Sequence, residues 1–198
     1  MLPGFHSPAA SFDQPFEMLE ACHDRVERTL RLLDKLVRHL DDHGADAAAR
    51  SAARDVLRYF DQAAPHHHAD EERHVFPAVL RSGDPSLQAA VQRLQADHHA
   101  MEALWARLRV VLQDVAEGRC QRWPDADRAN HDTEAGVPAA RRSEVEAFLA
   151  LYEQHIALEE GQVFPAARAA IDADSLAAMS GDMAARRGAA PPVPSRAD

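Results

Sequence analysis

The chain has few of the residues that mark several large classes of protein. Only two of its 198 residues are cysteines, Cys22 and Cys120, which excludes a disulfide framework and fits a reducing cytosol. Basic residues number 22 against 32 acidic ones, and the formal charge of −10 argues against a nucleic-acid or anionic-membrane partner. No apolar run is long enough to span a membrane, and residues 1–15 lack the features of a secretory signal. These absences predict a soluble, acidic, cytoplasmic domain.

Histidine is the residue that the chain has in excess, with 12 copies against two tyrosines and two tryptophans. Several of the histidines lie in a motif that occurs twice. Residues 67–78 and 155–166 both read H-x-x-x-E-E-x-x-V-F-P-A. In a helix, residues four apart share a face, so each copy directs an imidazole and a carboxylate the same way.

Hydrophobic periodicity predicts an all-α protein with four long helices and little strand. The expected helices run from about residue 13 to 43, from 46 to 81 with an interruption at Pro65, up to about 117 after the turn at 82–85, and from 139 to 172. Residues 119–138 read as a long polar loop, 175–187 as a short amphipathic helix, and 188–198 as a disordered tail. We therefore predict an up-down-up-down four-helix bundle over residues 12–172, followed by a short helix and tail over 173–198.

The doubled motif is the strongest candidate for a metal site. His67 with Glu71, and His155 with Glu159, would supply terminal imidazoles and carboxylates able to bridge two ions, as inward-facing residues of bundle proteins do. A single H-x-x-x-E would more simply be a solvated helix face. Two copies within matching V-F-P-A frames favour metal binding instead.

The first and third helices repeat a second pattern, L-x-x-x-H-x-x-x-E, at residues 19–27 and 94–102. His23 and His98 thereby interrupt apolar stripes and must face the interior. A hydrogen-bonded core histidine is the alternative for each of them. Each of these two apolar stripes contributes one imidazole where each copy of the doubled motif contributes one. We therefore interpret His23 and His98 as ligands.

The remaining histidines are weaker candidates. His68 follows His67 but is matched by Ile156 in the second copy, so it could reach one metal or be exposed; we include it among the ligands. His99 lies about 100° from His98 around the helix, on the surface. The Phe-Pro pairs 76–77 and 164–165 predict a kink and an apolar lid beside each ligand turn. The others are interpreted as surface or supporting groups: His6, His39, His43, His66, His74 and His131.

This combination of motifs resembles the hemerythrin-like family with HHE cation-binding domains, over about residues 12–172. The resemblance implies a four-helix bundle that holds a non-haem di-iron centre. It implies terminal ligation by His23, His67, His98 and His155, bridging by Glu71 and Glu159, and a further contact from His68.

Departures from the oxygen carriers of that family weaken the case for reversible oxygen carriage, since Glu102 stands in place of a second histidine and Glu159 in place of an aspartate. Two functions stay open: a di-iron protein that binds or senses oxygen, nitric oxide or peroxide without being a dedicated enzyme, and an iron-handling or regulatory module. Manganese and zinc also suit such ligands. Glu27 and Glu102 are further candidates for coordination.

Overall fold

The structure is a computed structural model that describes residues 11–124 and 142–189 and is built of helices. The long segments are α1 (Pro15–His43), α2 (Ala47–Asp70), α4 (Pro85–Glu117) and α5 (Arg142–Leu158). π-Helical turns at Glu71–Val75 and Glu159–Val163 join α2 and α5 to the short helices α3 (Phe76–Leu80) and α6 (Phe164–Ala170), and α7 (Ala173–Arg186) follows. Neither described range contains a strand, so the predicted all-α class is confirmed.

Capping residues explain where the long helices begin and end. The side chain of Asp46 accepts a hydrogen bond from the Ala49 N–H at the start of α2. Asp84 accepts from two N–H groups at the start of α4, where Pro85 has no N–H and therefore needs no acceptor. Gly118 ends α4 with a φ of 80°, a left-handed conformation that glycine adopts without strain.

The four long segments pack as a helical bundle in which α1 contacts α2, α2 contacts α4, α4 contacts α5 and α5 contacts α1. Their apolar stripes form two separate clusters. One contains Phe60, Phe148 and their neighbours, and the other contains Phe76, Phe164 and theirs. The inward-facing histidines and glutamates lie between these clusters, because each interrupts a stripe that is apolar on both sides.

The expected interruption at Pro65 is wrong. Helix α2 runs through Pro65 to Asp70, and the departure from α-helical geometry comes at the π-helical turn that starts at Glu71. Pro65 is exposed, so water can bond the carbonyl that it leaves without a donor. At each of the matched Phe-Pro pairs, where a kink was predicted, the structure has a π-helical turn that directly precedes the pair.

The predicted short C-terminal helix is present as α7, which packs on the second apolar cluster through Met179 and Met183. Arg186, the last residue of α7, and Arg187, which directly follows it, both donate to the carboxylate of Asp70, which is fully buried at the end of α2. The helix is therefore attached by apolar packing and by a buried ion pair.

Three sequence expectations fall outside the described residues: the start of the fourth long helix near 139, most of the polar loop 119–138, and the tail beyond 189. Within the described part of the chain, no helix combines the length and the apolar character that crossing a bilayer requires.

Candidate metal centre

Six of the seven predicted ligands converge at the middle of the bundle. His23, His67, Glu71 and Glu159 form one group, in which the potential ligand atoms all lie within 4.8 Å of one another. Glu71 and Glu159 form a second such group with His98 and His155. The two groups share both carboxylates, and all six side chains are buried. This is a donor set for two neighbouring cations.

Each shared carboxylate uses its two oxygens on different histidines. Glu71 Oε1 lies 3.0 Å from Nε2 of His67, and its Oε2 lies 3.5 Å from Nε2 of His98. Glu159 Oε1 lies 3.1 Å from Nε2 of His155, and its Oε2 lies 3.1 Å from Nε2 of His23. Each glutamate therefore extends from one group to the other, as a bridging carboxylate must.

Several nitrogen and oxygen atoms of the six converging side chains lie close to one another without forming hydrogen bonds. All four carboxylate oxygens of Glu71 and Glu159, with Nε2 of His98 and of His155, are buried and have no hydrogen-bond partner in the described residues. A buried polar group without a partner costs about 1–3 kcal/mol. A divalent cation would satisfy these atoms, because neutral imidazole and carboxylate are the ligands that iron, manganese and zinc accept. The residues fit a metal pair.

The charged groups of the centre raise the pKa of His67 and lower the pKa of Glu71. Burial disfavours the imidazolium form of His67, yet the charge of Glu71 raises the pKa of His67 well above its ordinary value. Burial likewise opposes ionisation of Glu71, but His67 holds the pKa of that carboxyl well below its usual range. Without a cation His67 therefore keeps a proton beside the carboxylate of Glu71, and metal binding has to release that proton.

The second glutamate of each E-E pair orients a histidine on another helix. Glu72 Oε1 lies 2.8 Å from Nδ1 of His98, and Glu160 Oε1 lies 2.8 Å from Nδ1 of His23. Both contacts leave Nε2 of the histidine directed at the centre. Sequence reasoning missed this role for Glu72 and Glu160, although the doubled E-E was a visible signal.

The π-helical turns and the Phe-Pro pairs lie next to the candidate ligands on both sides of the centre. Glu71 and Glu159 are the first residues of their π-helical turns. Phe164 stacks on His23 with ring centroids 5.3 Å apart, and Phe76 stacks on His98 at 5.7 Å. The prediction that these phenylalanines close the site with apolar bulk is confirmed.

Comparison with known proteins agrees with this arrangement. Residues 14–167 match the family described as hemerythrin HHE cation binding domain. The chain belongs to the hemerythrin HHE family. An uncharacterized protein of Haemophilus influenzae is 34% identical over 178 residues, which cover 90% of this chain and 92% of that protein. The resemblance drawn from the doubled motif is thus confirmed over most of the chain.

The two halves of this hemerythrin domain differ in the side chain that lies beside the histidine of the doubled motif. Oδ2 of Asp97 lies 3.5 Å from Nδ1 of His155. Cys22 is the counterpart of Asp97 in the first half, and it is a buried free thiol. The nearby Cys22 adds to the effect of Glu71 in raising the pKa of His67 against the opposing effect of burial. A carboxylate thus lies beside His155 in one half of the centre, and a thiol lies beside His67 in the other half.

His68 lies beside the six converging residues but outside both groups. Its ring stacks on His98 with centroids 4.0 Å apart, and the centroid of His155 is 6.2 Å away. Its Nε2 atom is buried and has no hydrogen-bond partner among the described residues. Burial and the neighbouring charge of His98 hold the pKa of His68 well below its ordinary value, so the ring is neutral. His68 therefore adjoins the His98 side of the centre.

The other candidates lie away from the centre. The side chain of His99 is 83% exposed, as predicted. Glu27 and Glu102 are also exposed, with Glu27 paired to Arg31. His74 contacts Asp182 of α7 at 2.8 Å. The remaining histidines either lie outside the described residues or contact no candidate ligand: His6 and His131 are of the first kind, and His39, His43 and His66 of the second.

Proposed function

We propose that this protein holds a di-iron centre and binds or senses oxygen, nitric oxide or peroxide at an open iron position. The observation that carries the proposal is the pair of four-residue groups that share Glu71 and Glu159. Family membership supports iron as the metal. Histidine-rich sites suit ligand binding more than oxidative chemistry, so we do not infer a dedicated enzyme.

In this proposal one iron is held by His23 and His67 and the other by His98 and His155, with Glu71 and Glu159 bridging. His68 completes the coordination of the second iron, because its partnerless Nε2 is buried next to His98. The first iron then has fewer protein ligands and keeps a position open for a small molecule. When bound, the metal pair would supply that coordination position, which the protein residues alone lack.

The proposal also takes the four long segments to alternate in direction over residues 12–172, with residues 173–198 as a separate appendage. It takes the protein to act in the cytoplasm, where its two unpaired cysteines stay reduced.

Metal analysis of protein purified without chelators tests the centre. We expect about two iron ions per chain, since one ion would leave half of the donor atoms unsatisfied. One ion or none in iron-replete material would contradict the metal pair, and two manganese or zinc ions would contradict iron. An anaerobic absorption spectrum that changes reversibly on addition of oxygen or nitric oxide would support ligand binding.

A second candidate function is an iron-handling or regulatory module whose output is a contact with a partner. One observation favours it: Asp70, which anchors α7, directly precedes Glu71. Metal occupancy at Glu71 could therefore affect how α7 is held. A spectrum that is inert to small ligands, together with metal-dependent release of α7 to protease, would support this function over the first.

A further inference from the structure

A cavity of about 410 Å³ lies between α1 and α2, and none of the seven candidate metal ligands lines it. Its wall includes Arg25 and Arg28 of α1, with Asp55 and Arg58 of α2. Three guanidinium groups against one carboxylate give the wall a formal charge of +2. The whole chain has a formal charge of −10, so the cavity is a local concentration of the opposite sign.

Two of the three arginines have no acidic partner. Arg31, the next arginine of α1, pairs with Glu27 one turn before it. Arg28 has Asp24 in the same relative position, yet no carboxylate of the described residues lies within 4.0 Å of the guanidinium of Arg28 or of Arg25. Like charges one turn apart on a helix repel each other, so an anion bound between these two side chains would relieve the repulsion.

The second half of the chain lacks this cluster. At the matched positions of α4 and α5 the internal repeat has two alanines and a glutamate, which are Ala100 for Arg25, Ala103 for Arg28 and Glu146 for Arg58. Nevertheless, α4 contacts α5 as α1 contacts α2. The arginines are therefore not needed to pack two such helices together, and a role in binding explains why they occur in one half.

The cavity also offers groups that suit an organic molecule. Tyr59 belongs to the wall, and its hydroxyl donates a hydrogen bond of 3.2 Å to the carbonyl oxygen of Cys22. Burial raises the pKa of Tyr59 against the charges of Arg25 and Arg28, so the hydroxyl stays protonated. Gln62 adds an amide that can both donate and accept a hydrogen bond. An aromatic ring and an amide thus lie beside the guanidinium groups.

The size and charge of the cavity indicate the class of ligand. Its volume equals that of roughly fourteen water molecules in the liquid. A phosphate group alone would fill only part of that space. Guanidinium groups bind phosphate oxygens through paired N–H donors, and a phosphomonoester carries nearly two negative charges, which match the charge of the wall. A single carboxylate has one charge and fewer acceptor oxygens.

We propose that this cavity is a binding site for a small organic phosphate, whose phosphate group is held by Arg25, Arg28 and Arg58. The net charge of −10 repels polyanions and anionic surfaces, so the ligand is a small soluble molecule. The inference does not depend on the metal pair, since no candidate metal ligand lines the cavity. It adds a second class of ligand to the proposed function.

The class of ligand is tested by isothermal titration calorimetry of the full chain. We expect ribose 5-phosphate to bind, inorganic phosphate to bind more weakly because it leaves part of the cavity unfilled, and ribose to give no binding heat. Succinate, a dicarboxylate, should also bind more weakly than ribose 5-phosphate. Absence of binding by ribose 5-phosphate at millimolar concentration would overturn the site, and tighter binding of succinate would overturn the phosphate class.

Two single variants test the assigned residues. Arg25→Gln and Arg28→Gln should each raise the Kd of ribose 5-phosphate roughly tenfold, because each removes a charged donor to the phosphate. Arg31→Gln is the control, since it removes the same charge from the same helix, but Arg31 pairs with Glu27 and does not line the cavity. Equal effects of all three variants would mean that general charge, not this cavity, determines the affinity.

A fourth variant should act in the opposite direction. Oδ1 of Asp55 lies 2.6 Å from Nη2 of Arg58 and therefore competes with the ligand for that guanidinium. Asp55→Asn should lower the Kd several-fold. Asp34→Asn removes a carboxylate that pairs with Arg38 outside the cavity and should leave the Kd unchanged. Weaker binding by Asp55→Asn than by the unaltered protein would contradict the site.

Removal of metal separates this site from the metal centre, because phosphate could also bind iron directly. We expect chelator-treated protein that remains helical by circular dichroism to bind ribose 5-phosphate with an unchanged Kd. Binding that disappears with the metal and is insensitive to Arg25→Gln would place the phosphate at the metal and overturn the inference. Protein that holds no metal but binds ribose 5-phosphate through the arginines would contradict the proposed function and support this site.

Discussion

Nδ1 of His23 lies 2.8 Å from Oε1 of Glu160, a residue from the opposite half of the chain. The matched contact joins His98 to Glu72, again between different helices. A carboxylate on one imidazole nitrogen fixes the ring and makes the other nitrogen a stronger donor to metal. The two E-E pairs thus supply both the carboxylates shared by the two groups of histidines and the carboxylates that orient the histidines facing them.

The first prediction concerns these orienting carboxylates. Glu160→Gln or Glu72→Gln should weaken metal binding roughly 10–100-fold, because the histidine loses a charged partner. Titration with ferrous iron under anaerobic conditions measures the change. Glu153→Gln is the control, since Glu153 is exposed on the same helix as His155 and has no comparable contact. Equal affinities in Glu153→Gln and Glu160→Gln would disprove the role.

The second prediction concerns the bridges. Glu71→Ala or Glu159→Ala should lose both metal ions, because each carboxylate extends to both groups of histidines. His99→Ala should keep both, since its side chain is 83% exposed. Elemental analysis of the purified variants gives the ratio of metal to chain. A Glu71→Ala protein that retains two ions would show that Glu71 is not a bridge.

The third prediction concerns removal of the metal. Metal binds the folded chain, and at a free concentration 100 times its Kd it stabilises that chain by about 2.7 kcal/mol. For a chain of this size the loss should lower Tm by roughly 5–10 °C. Calorimetry with and without chelator measures the difference. The Glu71→Ala protein should melt at one temperature under both conditions, whereas equal melting of the unaltered protein would contradict a buried site.

The fourth prediction concerns His68, the residue that breaks the symmetry of the two halves. His68→Ala should keep both bridges and most of the iron but change the absorption spectrum and the azide affinity. Ile156→Ala alters the matched position of the other half and should change Tm without changing the spectrum. If His68→Ala equals the unaltered protein in metal content, spectrum and azide binding, His68 is not a ligand.

The fifth prediction concerns the attachment of α7. Replacing both Arg186 and Arg187 by alanine leaves the buried carboxylate of Asp70 unpaired, which should cost about 3–5 kcal/mol of unfolding free energy. Arg73→Ala should change it by about 0–1 kcal/mol, because Arg73 is 59% exposed and 3.9 Å from its nearest acidic partner. Urea unfolding measures both. A double variant that unfolds with the midpoint of the unaltered protein would refute the anchor.

The six converging residues were predictable because the information is local. His23 and His98 interrupt apolar stripes, so the side that each faces follows from helical spacing alone. The same holds for the pairs four residues apart in the doubled motif. The apolar bulk that Phe76 and Phe164 place beside the site was also expected from their matched positions, whereas their stacking on His98 and His23 was not.

What escaped prediction depends on which helices become neighbours. Glu72 and Glu160 occupy half-exposed positions, and their partners come from other helices in a crosswise pattern that no single segment encodes. Asp70 and His74 stand out from the repeat, where Leu158 and Gln162 are their counterparts. Their partners on α7, Arg186 and Asp182, are more than 100 residues away.

The crosswise sharing of Glu71, Glu159, Glu72 and Glu160 also fixes when the centre can be completed during synthesis. The amino-terminal helices emerge from the ribosome with His23, His67 and Glu71, a set that lacks its second bridge. Glu159 and Glu160 are made only after about four fifths of the 198 residues have been joined. If the proposed metal pair binds here, its full set of ligands exists only after α5 and Glu159 have been made, and the metal then connects two halves that were made at different times.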